Sequence, residues 1–338
     1  MAEISPVSDI EHPLVRPVKN EPPTHYPSGK PKKKEKISRW FYDFRRQWQL
    51  QLMVWPGIIF LIIFSYIPMW GVLIAFKNYG MTDTFSSAPW VGLSNFQQIV
   101  SDPTFWSSMV NTLAISLIKL GIQFPLTIIM AVMIYEVKEG IFKKTVQTIS
   151  YLPHFLSWIV LGGMIISWMG TGGIFNQLLG LIGIHSTANH LLDPNSYWAI
   201  ASLSDTWKEV GWGTIMYLAA MSGIDPTLYE AATIDGASRI RKIWSITIPS
   251  IRFMIILQLI MWVPGIIGSN LDQTMALING AIYQTANVVN YYTFQMAIAQ
   301  GNLSYGTAVG LGMSVVGLIL TLMVYFATKK LNDGVSVL

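Results

Sequence analysis

Six long apolar segments dominate the hydrophobic pattern of this 338-residue chain. Each is close to the roughly 20 residues that a helix needs to cross the hydrocarbon core of a bilayer. Backbone groups cannot hydrogen-bond to lipid, so the segments are predicted to be helices and the fold class an all-α membrane protein with six transmembrane helices. The predicted spans cover residues 52–76, 110–135, 152–169, 199–220, 251–267 and 305–327.

The same pattern divides the chain into three regions. Residues 1–48 are polar, rich in Pro and Lys, and lack apolar periodicity, which predicts a disordered basic tail. Residues 49–330 form the six-span domain, and residues 331–338 form a short C-terminal tail. The first apolar run begins too late for a signal peptide, so the first span is expected to stay uncleaved.

The distribution of Lys and Arg predicts the orientation of the spans, because cytoplasmic connections carry an excess of these residues. Neither residue occurs in 170–197 or 269–304. Both termini, with the second-to-third and fourth-to-fifth connections, are therefore predicted to be cytoplasmic. The cations on that side are Arg16, Lys19, Lys30, Lys32, Lys33, Lys34, Lys36, Arg39, Arg45, Arg46, Lys138, Lys143, Lys144, Arg239, Arg241, Lys242, Arg252, Lys329 and Lys330.

Composition supports a membrane protein. Hydrophobic residues make up 52% of the chain and charged residues 12%, against about 25% charged in soluble domains. A basic tail can bind nucleic acid or a membrane surface. Its position beside a predicted span favours membrane lipid, with no nucleic-acid partner. The chain has no cysteine, which excludes disulfides and thiol chemistry.

The fourth-to-fifth connection, residues 223–249, carries local signals for two short helices. An acidic cap and a proline open the first helix, and an Asp-Gly pair predicts a left-handed turn at its end. A serine can cap the second helix, which a proline ends before the fifth span. These residues are Asp225, Pro226, Asp235, Gly236, Ser238 and Pro249.

Two interpretations of this loop stay open on pattern alone. Leu228, Ala231 and Ala232 fall on one helical face. The small alanine side chains would let the surface of another protein approach closely, which predicts that the loop is a projection that docks on a partner protein. Alternatively, the first helix is amphipathic and lies on the membrane interface.

The loop resembles the EAA motif of binding-protein-dependent ATP-binding-cassette (ABC) permeases. Ile248 stands where the motif usually has Leu. Further similarity, in residues 151–155 and 207–212 among others, resembles the LplB-type, MalF-like carbohydrate permeases across residues 50–330. The residues that match the EAA motif are Glu230, Ala231, Ala232, Gly236, Ile246 and Pro249.

This resemblance implies a type I ABC importer permease fold in the bacterial cytoplasmic (inner) membrane. It implies a cytoplasmic ATPase dimer whose grooves receive the EAA loops, an external solute-binding protein, and a second permease chain, which we expect to form a heterodimer. The six matching residues would then couple ATP hydrolysis to transport. The chain has no Gly-x-x-x-x-Gly-Lys-Ser/Thr loop. We therefore expect no cofactor or enzyme activity here, with ATP and Mg bound by the partner ATPase.

Ionisable residues inside predicted spans are costly and are therefore candidates for the transport pathway. The second span holds Lys119 and Gln123, and the fourth holds Asp205, Lys208 and Glu209. The alternative is that Lys208 forms a structural ion pair with Asp205 or Glu209. The Asp205 pair is the better candidate, because residues three apart face each other on a helix. Lys119 has no local partner, which favours a position facing a cavity.

In similar sugar permeases the substrate contacts come from the spans that flank this loop. Sugars bind to aromatic faces and hydrogen-bonding side chains, so the aromatic and polar residues of these spans complete the candidates. Anchoring at the bilayer interface or core packing is the alternative for each aromatic. Residues 287–295 lack the acidic stretch that many relatives have, which together with Lys119 suggests an anionic uronate oligosaccharide such as an alginate or pectin fragment. These candidates are Trp207, Trp212, Tyr217, Trp262, Ser269 and Asn270.

Other classes of protein fit less well. An ABC permease for another solute remains an alternative. A secondary transporter would often show an internal repeat, and none is clear. A membrane enzyme would need a catalytic constellation, and the five histidines form no metal-binding pattern, so no catalytic or metal site is expected.

Overall fold

The computed structural model describes residues 47–80, 82–268 and 271–331, with no side-chain information for 329–331. Among these residues every named element is helical, and one isolated bridge joins Lys77 and Trp90. The chain divides into two compact units, Met1–Pro68 and Met69–Leu338. Almost all of the predicted N-terminal tail, most of the C-terminal tail, and the candidates Ser269 and Asn270 lie outside the described residues.

Within the described residues, helices of 3 to 34 residues follow one another, and segments of 3₁₀ or π geometry continue several of them. These segments are Ile62–Tyr66, Ile67–Phe76, Leu152–Phe155, Ile243–Thr247, Val263–Ile266 and Gln295–Ala299. The α-helices are α1 (Trp48–Leu61), α2 (Ser94–Ser101), α3 (Pro103–Glu136), α4 (Ile141–Tyr151), α5 (Trp158–Met169), α6 (Ile174–Leu181), α7 (Tyr197–Ser222), α8 (Pro226–Ile234), α9 (Arg239–Lys242), α10 (Ile248–Ser250), α11 (Arg252–Trp262), α12 (Leu271–Leu277), α13 (Tyr283–Ala286), α14 (Val289–Phe294) and α15 (Leu303–Leu331).

Among the described residues, three helical runs are long and apolar enough to cross a membrane: Trp48–Phe76, Pro103–Glu136 and Leu303–Thr328. Two bent pairs, Ile141–Phe155 with Trp158–Met169 and Arg239–Ser250 with Arg252–Ile266, raise that number to five if each pair is one crossing. The helix α7 has 26 residues, a length of about 39 Å. Three charged residues in its middle make it less apolar than these runs.

The predicted third span, 152–169, is wrong as a single helix. Ile141–Phe155 and Trp158–Met169 meet at 102°. Pro153 lacks a backbone donor, the chain is extended at Leu156, and Ser157 starts α5 by accepting a hydrogen bond from the Val160 amide at 3.4 Å. The predicted span therefore combined the turn that follows α4 with the apolar helix α5, because hydropathy does not report the direction of the backbone.

Close backbone approach holds α7 against its neighbours. A Cβ atom at Gly211 would lie 2.0 Å from the Ser150 carbonyl oxygen at the end of α4, and one at Gly213 would lie 2.8 Å from the Thr127 methyl carbon of α3. Small residues at these two positions therefore set how α7 is rotated against α3 and α4, and hence which of its side chains meet them.

Buried polar contacts fasten the segment between α11 and α15 to the helix bundle. The Asn111 amide donates to the backbone carbonyls of Gln284 and Asn287 at 2.7 and 3.0 Å. The Trp198 indole donates to the Asn111 oxygen at 3.2 Å. This segment and residues 170–198 are both partly helical.

Candidate functional site

Three of the ionisable residues predicted inside spans, Lys119, Asp205 and Glu209, line one cavity of about 480 Å³ between α3, α7 and the end of α11. A smaller cavity of about 250 Å³ shares several lining residues and extends toward Tyr217 and Gln258. Together they form one path along α7, called here the central path. Seven predicted pathway residues line it: Lys119, Gln123, Asp205, Glu209, Trp212, Tyr217 and Trp262.

A buried ion pair lies at the wall of the central path. Lys119 Nζ lies 3.1 Å from Asp205 Oδ2, and both side chains are nearly inaccessible. Lys119 Nζ also donates to Gln273 Oε1 at 3.4 Å. Lys119 has no local partner and lines the cavity, as the sequence indicated, but it has these two distant partners. Because Asp205 pairs with Lys119, the alternative pair of Lys208 with Asp205 is not formed. Each partner comes from a distant part of the chain, which helical spacing cannot reveal.

Lys208 points away from the central path. Its Nζ donates to the His154 carbonyl oxygen at 2.5 Å and lies 3.4 Å from Glu209 Oε1. His154 Nδ1 is 2.7 Å from Glu209 Oε2. The His154 ring stacks on Trp212, with centroids 4.4 Å apart and planes within 1°. These four side chains form a cluster at the bend between α4 and α5, called here the corner cluster.

Gln123 has an incomplete set of hydrogen bonds. Its amide oxygen is buried and accepts no hydrogen bond from the part of the chain that the structure describes. A buried acceptor without a partner costs about 1–3 kcal/mol. Because Gln123 lines both cavities, this oxygen is suited to accept a hydrogen bond from a ligand in the path.

Trp207 belongs to a different cavity. It lies on the opposite side of α7 with Trp168, the two ring centroids 5.8 Å apart, in a mainly apolar space of about 480 Å³. The structure therefore separates Trp207 from the other pathway candidates. Gly268, next to the undescribed Ser269 and Asn270, does line the central path.

Two residues at the site were missed by the sequence analysis. Gln273 supports the ion pair and donates its own amide to the Ala201 carbonyl and the Ser204 hydroxyl at 2.7 and 3.0 Å. His154 joins the corner cluster. Both lie in stretches that carry the family resemblance, but their contacts are between distant segments and have no local signature.

The loop 223–249 has the predicted pair of helices. The Asp225 carboxylate accepts a hydrogen bond from the Thr227 amide at 2.9 Å, which holds the pKa of Asp225 below its ordinary value. Gly236 has φ +72°, and Ser238 caps the next helix, 3.4 Å from the Arg241 amide.

The two helices of the loop are fastened together. Lys242 Nζ donates to the Thr233 hydroxyl at 2.6 Å, and the Tyr229 hydroxyl is 2.9 Å from that of Thr247. Their outer surface is open: Ile234 is 88% exposed. Of the motif residues, Glu230, Ala231, Gly236 and Pro249 are exposed, while Ala232 and Ile246 are half-buried. The arrangement is an ordered projection with an exposed surface.

Comparison with known proteins identifies relatives of the whole membrane domain. The family model for the binding-protein-dependent transport system inner membrane component matches residues 123–335. The polygalacturonan/rhamnogalacturonan transport system permease protein YteP of Bacillus subtilis is 37% identical over 302 residues, 89% of this chain and 94% of that protein. Protein LplB of the same organism is 36% identical, covering 87% of this chain and 92% of LplB.

Two solved structures of bacterial alginate transporters contain chains that are similar to this one in sequence and fold. A bacterial ABC transporter involved in the import of the acidic polysaccharide alginate contains a chain that is 33% identical, with a TM-score of 0.78. The match covers 86% of this chain and 99% of that one. A second alginate transporter structure, in complex with an alginate pentasaccharide-bound periplasmic protein, matches with 32% identity and a TM-score of 0.79 over 88% and 99% of the two chains.

Proposed function

The chain belongs to the family of binding-protein-dependent transport system inner membrane components, and from this membership we propose that it imports uronate-containing oligosaccharides. It is a permease of an oligosaccharide ABC importer. Family membership argues against the secondary-transporter and membrane-enzyme alternatives. The acidic character of the substrate is the specific proposal. Polygalacturonan and the acidic polysaccharide alginate in the names of relatives support it.

The buried Lys119 is the observation that carries this proposal. A Lys ammonium has three donors, and the side chain contacts Asp205 and Gln273 while lining the central path. The third donor is suited to a uronate carboxylate. The amide oxygen of Gln123 is suited to a sugar hydroxyl, and Trp212 and Trp262 offer aromatic faces on the same path.

The membrane arrangement is proposed to have six crossings. Three are continuous helices, two are the bent pairs, and α7 is the sixth. Its three charged residues are accommodated because Asp205, Lys208 and Glu209 each have a partner. With the Lys and Arg distribution, this gives a cytoplasmic basic tail (1–48), a permease domain (49–330) and a cytoplasmic C-terminal tail (331–338).

The partners are proposed from the family. The ordered projection of loop 223–249 is the surface for a groove of a cytoplasmic ATPase dimer, which binds ATP and Mg. A second, related permease chain completes the pathway as a heterodimer, and an extracytoplasmic solute-binding protein delivers the sugar. The alginate neighbour bound to a periplasmic protein supports the last of these.

The proposal is tested by uptake of two labelled probes in cells with and without this chain. One probe is an oligouronate, and the other is the same oligosaccharide with its carboxylates reduced to alcohols. We expect loss of the chain to abolish ATP-dependent uptake of the oligouronate alone. Loss of the reduced probe alone, or equal loss of both, would overturn the uronate assignment. If loss of the chain changed the uptake of neither probe, the protein would not be assigned to the import of oligosaccharides of that length.

Gln123→Leu is expected to weaken sugar binding without lowering the stability of the protein. The exchange removes a buried acceptor that has no partner, so the folded state loses nothing. The half-saturating oligosaccharide concentration should rise about fivefold, since one neutral hydrogen bond contributes about 1 kcal/mol. Gln147→Leu, on α4 outside the path, is the matched control. Unchanged half-saturation in Gln123→Leu would contradict a role in binding.

A further inference from the structure

We propose that Lys208 is a positioning residue that fastens the bend between α4 and α5 to α7, so that the bend and the helix move together during transport. The inference rests on the proposed function only in that the chain imports a sugar through the central path. It replaces the earlier assignment of Lys208 as a candidate substrate contact.

The bend presents backbone carbonyls that need partners. The last carbonyl groups of a helix have no intrahelical donor, and in a membrane each unpaired group costs several kcal/mol. The turn Leu152–Phe155 ends at the extended Leu156. Lys208 Nζ donates to the His154 carbonyl at 2.5 Å and reaches the Pro153 carbonyl at 3.5 Å. A cation at this end is also favoured by the helix dipole.

Three further contacts hold the same bend, and they come from residues of α7 within about one turn of Lys208. Glu209 contacts both Lys208 and His154, at 3.4 and 2.7 Å. Trp212 stacks on the His154 ring at 4.4 Å. At Gly211 the backbone of α7 is too close to Ser150 to accommodate a Cβ atom. Backbone, charge and ring contacts therefore join the bend between α4 and α5 to the helix α7.

This junction connects the central path to the coupling loop. Glu209 and Trp212 line the path on one side and contact His154 on the other. The helix α7 ends at Ser222, and α8 of the loop begins at Pro226. A displacement of the loop by the ATPase moves α7, and the corner cluster passes that displacement to α4 and α5. Without the Lys208 contact the junction would be weaker, and the bend would follow the movement of α7 less closely.

The test uses the complete transporter, reconstituted in proteoliposomes with its partner permease, ATPase and solute-binding protein. Lys208→Met keeps the length of the side chain and removes the cation. We expect the number of oligosaccharides imported per ATP hydrolysed to fall about fivefold, with the half-saturating sugar concentration unchanged. Lys208→Arg should restore most of the ratio. Lys143→Met, which removes a lysine paired with Glu139 at 2.6 Å at the start of α4, away from the bend, should behave as wild type.

Each alternative outcome overturns the inference. A raised half-saturating concentration with an unchanged import-to-hydrolysis ratio would make Lys208 a substrate contact. An unchanged ratio at unchanged affinity would make it dispensable. If Lys208→Met does not assemble, Glu209→Gln is measured instead, and it too must lower the ratio. The probe is the labelled oligouronate, or the carboxyl-reduced sugar if only that is imported, so failure of the uronate proposal leaves this test intact.

Discussion

Gly236→Val is expected to lower oligosaccharide import about tenfold or more while the partner ATPase continues to hydrolyse ATP. Gly236 has φ +72°, a conformation that costs other residues about 1–2 kcal/mol and that a β-branched residue resists most strongly. No atom outside its immediate neighbours lies within 4 Å of a Cβ built at Gly236. The effect therefore comes from the backbone and not from a steric clash.

The turn at Gly236 determines how the loop presents its two helices. The Gly236 amide donates to the Thr233 carbonyl at 3.1 Å, and the Ala237 amide donates to the Ala232 carbonyl at 2.9 Å. This pair of bonds is the Schellman motif that ends a helix. Valine would shift the turn, so α8 would no longer be held at the angle that fits the ATPase groove.

Import and ATP hydrolysis are measured together in proteoliposomes, with two controls. Gly236→Asn should remain near wild type, because asparagine tolerates positive φ. Gly223→Val lies at the start of the same loop, where φ is −87°, and should also be mild. Wild-type import by Gly236→Val, or an equal loss in Gly223→Val, would contradict the coupling role of the turn.

Lys119→Met is expected to lower oligouronate uptake about a hundredfold, by two separable effects. It leaves Asp205 as an uncompensated buried charge, which costs about 3–5 kcal/mol. It also removes the cation proposed to bind the substrate carboxylate. The first effect lowers the amount of assembled protein, and the second lowers uptake per assembled transporter, so both quantities are measured.

The double variant Lys119→Met/Asp205→Asn separates these effects. With both charges removed, the desolvation penalty disappears and the amount of assembled protein should recover. Oligouronate uptake should nevertheless stay low, while the carboxyl-reduced oligosaccharide should be taken up about as well as the oligouronate. Recovery of oligouronate uptake in the double variant would show that the Lys119–Asp205 pair is only structural.

Local physics made much of this protein predictable from its sequence. Bilayer crossing requires a continuous apolar stretch, so hydropathy located the three continuous apolar helices among the described residues. Capping needs a particular side chain within three residues of a helix end. Asp225, Gly236 and Ser238 therefore predicted the helix ends in the loop 223–249 correctly. The family was recognisable because the EAA motif and its spacing lie in one continuous segment.

Tertiary structure alone decided how the charges and rings are grouped. Lys119 pairs with Asp205, Lys208 turns to the His154 carbonyl, and Trp207 faces a separate cavity. These outcomes depend on how far α7 is rotated about its axis against α3 and α4. That rotation is set by close contacts at Gly211 and Gly213. Sequence spacing gives the angle between two residues on one helix, but not which neighbouring helix either of them meets.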